Sequence, residues 1–124
     1  MSRSQIEAVF DTNILIDYLM GRDEAHQEFE RYTRRAISIV TWMDLQIGSS
    51  NEDEADVIDL FLREFRVIEI SRQVARRATE IRRRTRVRLP DAIIWATAQL
   101  ESAQLVTRNT KDFPANDPLV RIPY

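Results

Sequence analysis

The chain has no cysteine, one histidine (His26), two glycines (Gly21 and Gly48), and a single lysine (Lys111) among its 18 basic residues. Each shortage closes a class of function. Without cysteine there is no disulfide framework, no thiol chemistry and no Cys-based zinc centre, and one histidine makes no His cluster. Two glycines so placed allow neither the GxGxxG turn of a dinucleotide fold nor the GxxxxGKS/T phosphate loop. A GxSxG nucleophile elbow is absent as well. No window approaches the ~18 uninterrupted apolar residues of a membrane span. The start, Met1 to Gln5, has no apolar signal core behind it, so the cytoplasm is the expected compartment.

What remains is an ordinary globular composition, 44% hydrophobic and 31% charged over 124 residues, enough for one core and one domain spanning residues 1–124. The net charge of -2 hides a division. "EDEADVID" (52–59) carries five acids and no base, and reads as a solvated face. "RQVARRATEIRRRTRVR" (72–88) carries eight arginines against Glu80 alone. Such a stretch is either a solvated helix face or a footprint for phosphates.

Hydrophobic periodicity alternates between strand and helix. Ile6 to Phe10 reads as a strand, Ile14 to Leu19 as a short helix ending at Gly21, and 23–35 as a surface helix. "AISIVT" (36–41) is a second strand by its β-branched composition. Helices follow from about 42 to Gly48 and over 52–64, with a third strand at 65–70. A basic helix comes next, and then "LPDAIIWATAQLESA", in which Pro90 suits a first helical turn. "QLVTRN" (104–109) is a fourth strand and "LVRIPY" (119–124) a short fifth. This order predicts an α/β fold on a parallel sheet with right-handed crossovers.

Ligands of open parallel sheets sit beyond the carboxyl ends of the strands, and the residues found there are acids. Asp11 follows the first strand, Asp44 lies shortly after the second, and Asn109 and Asp112 follow the fourth. Asp91 opens the helix that precedes the fourth strand. Each alone has a plain explanation. Asp11 can cap a helix, Thr41-Trp42-Met43-Asp44 resembles a capping box, Asp91 complements a helix dipole, and Asp112 can hold a turn. Together they repel, by roughly 4 kcal/mol for one pair ~4 Å apart at an effective dielectric near 20. A cation or shared protons must offset that. All-oxygen donors without His or Cys select a hard ion, Mg²⁺ or Mn²⁺, and such an ion equips a site for phosphodiester hydrolysis.

"VFDTNILIDYL", "ISIVTWMDLQIG", "LPDAIIWATAQL" and "LVTRNTKDF", in this order and spacing, resemble the PIN-domain ribonucleases, and within them the VapC toxins of type II toxin–antitoxin systems. The resemblance covers essentially the whole chain. It implies a three-layer α/β/α domain with strand order 3-2-1-4-5, Mg²⁺- or Mn²⁺-dependent RNA cleavage, a homodimer, and neutralisation by a VapB-like antitoxin. By position, Asp11, Asp44 and Asp91 match the family's first three acids, and Asn109 or Asp112 the fourth. Thr107 matches a small hydroxyl residue beside the acids and Asn13 a polar residue that orients the first. The second acid is usually Glu in this family. Asp44 is shorter by one C–C bond, about 1.5 Å, which predicts weak metal affinity or a Mn²⁺ preference. The other reading of the same residues is a PIN-fold module that binds RNA or protein without turnover. A phosphoaspartate enzyme of the haloacid type would need a second acid two residues after Asp11, where Asn13 stands.

Further candidates for RNA contact are Trp95, one turn after Asp91, and Arg82, Arg83, Arg84 and Arg108. A large aromatic beside Ile93, Ile94 and Ala98 is more often a core residue. Asp17, nearly two turns beyond Asp11, is expected to brace the site or pair with an arginine.

Overall fold

A computed structural model describes residues 6–124; the reading of Met1 to Gln5 lies outside them. Five short parallel strands are laid down in the chain as β1 (Ala8–Phe10), β2 (Arg35–Ser38), β3 (Arg66–Ile68), β4 (Gln104–Val106) and β5 (Val120–Arg121). Their spatial order is β3-β2-β1-β4-β5, as the resemblance implied. The register sets Val9 against Ala36 on one side and Leu105 on the other. β1 is therefore the central strand, and Ala8, Val9 and Phe10 are fully buried. Six helices flank the sheet: α1 (Thr12–Leu19), α2 (Asp23–Glu30), α3 (Ile39–Ile47), α4 (Glu52–Leu62), α5 (Arg72–Arg84) and α6 (Leu89–Leu100).

The pleat of β1 divides the core. Successive strand side chains point to opposite faces, so Val9 joins Ala36, Leu105, Val74, Ala78, Ile94 and Trp95 under α5 and α6. Ala8 and Phe10 join Ile14, Leu15, Phe29, Tyr32, Ile37, Leu45 and Phe65 on the other face. Phe10 is ringed there by Phe29, Tyr32 and Phe65 at centroid distances of 5.9–6.0 Å, a spacing within the attractive aromatic range.

Most element boundaries shift from the sequence reading by a few residues, the strands being shorter than read, and two of the shifts have a visible local cause. The first strand begins at Ala8 rather than Ile6. The second ends at Ser38 rather than Thr41. The Ser38 hydroxyl accepts the Val40 N–H at 3.1 Å and starts α3 three residues early, so Ile39-Val40-Thr41 form a helical turn despite their β-branching. Asp44 is consequently a mid-helix residue, and Thr41-Trp42-Met43-Asp44 forms no capping box. Finally, α2 stops at Glu30 rather than 35, because Tyr32 turns into the core and donates to Gln104 Oε1 at 2.7 Å. Gly21, with φ +84°, terminates α1 as expected; its N–H reaches the Tyr18 carbonyl, and only glycine adopts that backbone without strain.

Trp95 is 8% exposed and meets Phe113 edge-on at 5.6 Å. Its indole Nε1 is buried and finds no hydrogen-bond partner among the described residues. Trp95→Phe removes that orphan donor but also the pyrrole ring, so the gain from losing the unpaired N–H offsets part of the cavity cost, and in urea denaturation it should be less damaging than alanine. Trp95→Ala should cost about 3–5 kcal/mol.

Candidate active site

The carboxyl ends of β1, β2 and β4 open onto one edge of the sheet, and the α6 N-terminus reaches the same edge. Asp11 is the residue immediately after β1. It caps α1, with its Oδ1 accepting the Thr12 N–H at 2.8 Å. Its Oδ2 accepts from the Thr107 hydroxyl at 2.7 Å and from Asn13 Nδ2 at 3.3 Å. The capping explanation and the site explanation are thus both true of one side chain. Asp11 is only 4% exposed. Burial, with a smaller contribution from the Asp44 charge, raises its pKa against the pull of these hydrogen bonds.

Asp91 lies in the first turn of α6, behind Pro90. Burial, then the charges of Asp11 and Asp112, push it up to about 6, partly offset by Arg88, whose Nη2 lies 3.5 Å from Oδ2. The charge of Asp44 thus bears on Asp11, and those of Asp11 and Asp112 on Asp91, although the four acids come from separate parts of the chain. Asp44 projects from α3 into solvent and accepts the Thr12 hydroxyl at 3.1 Å. The same hydroxyl lies 3.3 Å from the buried Thr41 Oγ1.

The loop after β4 holds the fourth acid by a closed pair of bonds. Asn109 Nδ2 donates to Asp112 Oδ2 at 2.9 Å, and the Asp112 N–H donates to Asn109 Oδ1 at 3.1 Å. Asn109 thereby spends its amide on Asp112, and Asp112 is the member of the pair that acts on Asp91. Thr107 is fully buried, and its Oγ1 also accepts the Asn109 N–H at 2.9 Å, tying this loop to Asp11.

Sequence reasoning anticipated an arginine partner for Asp17 but not which arginine, nor Tyr124. Arg108 Nε donates to Asp17 Oδ2 at 2.6 Å, the Tyr124 hydroxyl donates to the same oxygen at 2.8 Å, and the Arg108 N–H reaches Asn13 Oδ1 at 3.3 Å. Burial opposes the Asp17 charge, but Tyr124, Arg108 and Arg22 outweigh it and hold the carboxyl below its usual range. Asp17 is an arginine partner, one of the two roles expected of it. No local signal marks Tyr124, because its partner lies at the opposite end of the chain. Of the residues named for RNA contact, Trp95 is in the core rather than at the surface. Arg108 is engaged by Asp17. Arg82, Arg83 and Arg84 form the exposed last turn of α5.

Among the described residues no three His, Cys, Asp or Glu side chains form a ready chelate as they stand. The donor set nevertheless suits a hard divalent cation. It is all oxygen, its two inner carboxyls are raised by burial and by like charge, and a cation would relieve both.

The profile of the PIN domain matches residues 8–117. The chain belongs to the PIN-domain family. Ribonuclease VapC10 of Mycobacterium tuberculosis is 32% identical over 117 residues, covering 88% of this chain and 87% of that one. Ribonuclease VapC1 of Methanocaldococcus jannaschii is 26% identical over 118 residues, covering 91% and 83%. Among solved structures, a toxin–antitoxin complex from Klebsiella pneumoniae superposes with a TM-score of 0.88 at 46% identity, covering 94% of this chain and 98% of that one. The PIN fold thus accounts for the strand order and for the edge at which the acids meet.

Proposed function

We propose that this PIN-domain chain is a metal-dependent endoribonuclease, the toxin of a toxin–antitoxin pair restrained by a VapB-like antitoxin. The observation that carries the reading is the placement of Asp11, Asp44, Asp91 and Asp112 toward one sheet edge, with Asp11 and Asp91 raised by burial first and by neighbouring acids second. The names of the related ribonucleases and the toxin–antitoxin complex support it. Asp11, Asp44, Asp91 and Asp112 would hold Mg²⁺ or Mn²⁺, with Asn109 orienting Asp112 rather than acting as a ligand. Such an ion supplies Lewis acidity toward a phosphodiester and its attacking water. The chain's own part is orientation. Thr107, Thr12 and Asn13 fix both oxygens of Asp11, and the helix N-termini of α1 and α6 favour an incoming phosphate.

The toxin role needs a surface for its partner. A cleft of about 550 Å³ opens beside Asp44, walled by Ile16, Leu19, Met20, Val57 and Ile58 and rimmed by Asp53 and Glu54. Met20 is 82% and Val57 58% exposed, a concentration of apolar surface that suits a partner's apolar segment with basic flanks. The homodimer belongs to the same proposal and is checked by sedimentation.

Cleavage of labelled RNA in Mg²⁺, in Mn²⁺ and in chelator tests the reading: cut products with either ion and none in chelator are expected. The second reading, a binding module, is favoured by Asp44 itself, which is shorter than the usual Glu and held by Thr12. It predicts RNA retention without products even in millimolar Mn²⁺. If the enzyme reading holds, Thr107→Val should weaken Mn²⁺ binding about 10–100-fold in isothermal titration, because it removes the hydroxyl that orients Asp11. Unchanged affinity would remove Thr107 from the site.

A further inference from the structure

We propose that the outward face of α5 is an RNA-binding exosite that holds a strand leading to the carboxylate edge; this rests on the ribonuclease reading. The arginines of this protein fall into two groups. Arg22, Arg35, Arg66, Arg77, Arg108 and Arg121 are each committed to a protein acceptor: Asp17 and Glu24, the Phe29 carbonyl, Glu7 and Glu101, Gln99, Asp17, and Glu28. Arg72, Arg76, Arg82, Arg83, Arg84 and Arg86 are exposed and make no side-chain hydrogen bond or ion pair among the described residues. Of the arginines uncommitted in this way among the described residues, these six gather on α5 and the turn that follows it, while Arg34 and Arg63 stand singly elsewhere.

Like charges at helical spacing repel one another, so a purely structural account leaves this face unexplained. Residues 72–88 carry seven net positive charges while the rest of the chain carries nine net negative ones. A polyanion is therefore drawn to this face and repelled from the remainder. The face is also shaped. Arg72, Arg76 and Arg83 wall a recess of about 310 Å³ whose floor is Ala75 and Thr79, with Glu80 at its side. The small floor residues let a backbone approach, and the Thr79 hydroxyl is turned inward to the Ala75 carbonyl at 2.8 Å. Arginine forks match phosphate oxygens in a way that a lysine ammonium does not.

Placement decides between RNA and an acidic protein segment. Arg77 Nη1 meets Gln99 Oε1 at 2.9 Å, so α5 and α6 run antiparallel as a hairpin. The C-terminal end of α5 and the turn 85–88 then lie at the edge that bears Asp91, where Arg88 contacts its carboxylate. From Arg72 to Arg83 the stripe covers about 16 Å along the helix axis. A strand lying on it is continuous with the site, which is what a substrate requires and an unrelated partner does not.

The test uses Arg72→Gln/Arg76→Gln in the full chain, since glutamine retains helix propensity, with Arg76→Gln alone as a second variant and circular dichroism as the check on folding. Binding of a fluorescein-labelled single-stranded 30-nucleotide RNA is followed by anisotropy in chelator across a KCl series. The double variant should bind at least tenfold more weakly, with a salt slope shallower by about 1.4, the loss of two phosphate contacts on a single strand. With metal, KM should rise for the 30-nucleotide RNA and stay unchanged for a tetranucleotide. Parental binding and slope, or equal losses on both substrates, would overturn the exosite. So would a defect confined to binding of the antitoxin. If the wild type binds RNA through these arginines yet cleaves none with either ion, the nuclease reading fails and the exosite stands.

Discussion

Asp11→Asn is expected to lower RNA cleavage by at least about 100-fold while making the metal-free protein more stable, not less. The activity loss follows from position. Asp11 touches Thr107, Thr12 and Asn13 and is the most buried of the four acids, and loss of lesser supporting groups at metal sites already costs 10–100-fold. The stability gain follows from its cost. Burial and the Asp44 charge both disfavour the carboxylate, and asparagine fills the same volume, caps α1 through its oxygen and carries no charge. A gain of about 1 kcal/mol is the usual size for relieving a functional strain of this kind. Single-turnover cleavage and thermal melting in chelator, on the same preparation, read both effects. Near-parental cleavage removes Asp11 from the catalytic assignment. A marked fall in Tm shows instead that its hydrogen bonds, rather than its charge, dominate.

The second large effect is on stability as a function of pH. Asp91 is raised from 3.8 to about 6 in the folded protein by burial and by the charges of Asp11 and Asp112, and Asp11 is raised in the same direction. A raised carboxyl means that the folded state binds more protons than the unfolded state between the two pKa values. Stability of the metal-free protein therefore falls as pH rises from about 4 to about 6 and levels off above. Asp91 contributes on the order of 1–2 kcal/mol to that fall after allowance for solvent screening. Ordinary carboxylates, paired in the native state, do the opposite. A divalent ion bound only by the folded state should reverse the loss at pH 7, by about 2.7 kcal/mol at a hundredfold excess over Kd, and by much less at pH 5, where protons compete for the same oxygens. Melting curves at pH 5 and 7, with and without Mn²⁺, check this. A Tm insensitive to Mn²⁺ at both pH values would contradict a cation site among these acids. Asp91→Asn should flatten the metal-free profile, and a profile left unchanged would assign the pH dependence elsewhere.

Much of the architecture was legible because its causes are local. β1 is an apolar run ended by a helix-capping acid, α6 opens on Pro90-Asp91, and α1 closes on a glycine at positive φ; each is read within a few residues. The four acids were legible because parallel sheets place their strand ends on one edge. Where reading failed, a competing local force was missed or the cause was remote. The hydroxyl of Ser38 overrode the β-branched composition of 39–41 and moved Asp44 into the middle of a helix. Trp95, which could have been a base-stacking residue, is core as the apolar neighbours suggested, packed edge-on against Phe113.

The sequence by itself determined which residue types could do chemistry here: oxygen donors without thiol or imidazole partners, and a reserve of arginine gathered into one stretch. Spacing and alternation placed Asp11 and the Asn109–Asp112 turn just after strands, and Asp91 at the start of a helix. Only the tertiary structure decided what each donor does. It made Asn109 a brace for Asp112, joined Asp17 to Arg108 and the terminal Tyr124, and set Thr107 against Asp11. It also separated the arginines that hold the fold from those left facing solvent. Those decisions are long-range pairings, made when packing brings distant segments together, and no local pattern along the chain encodes them.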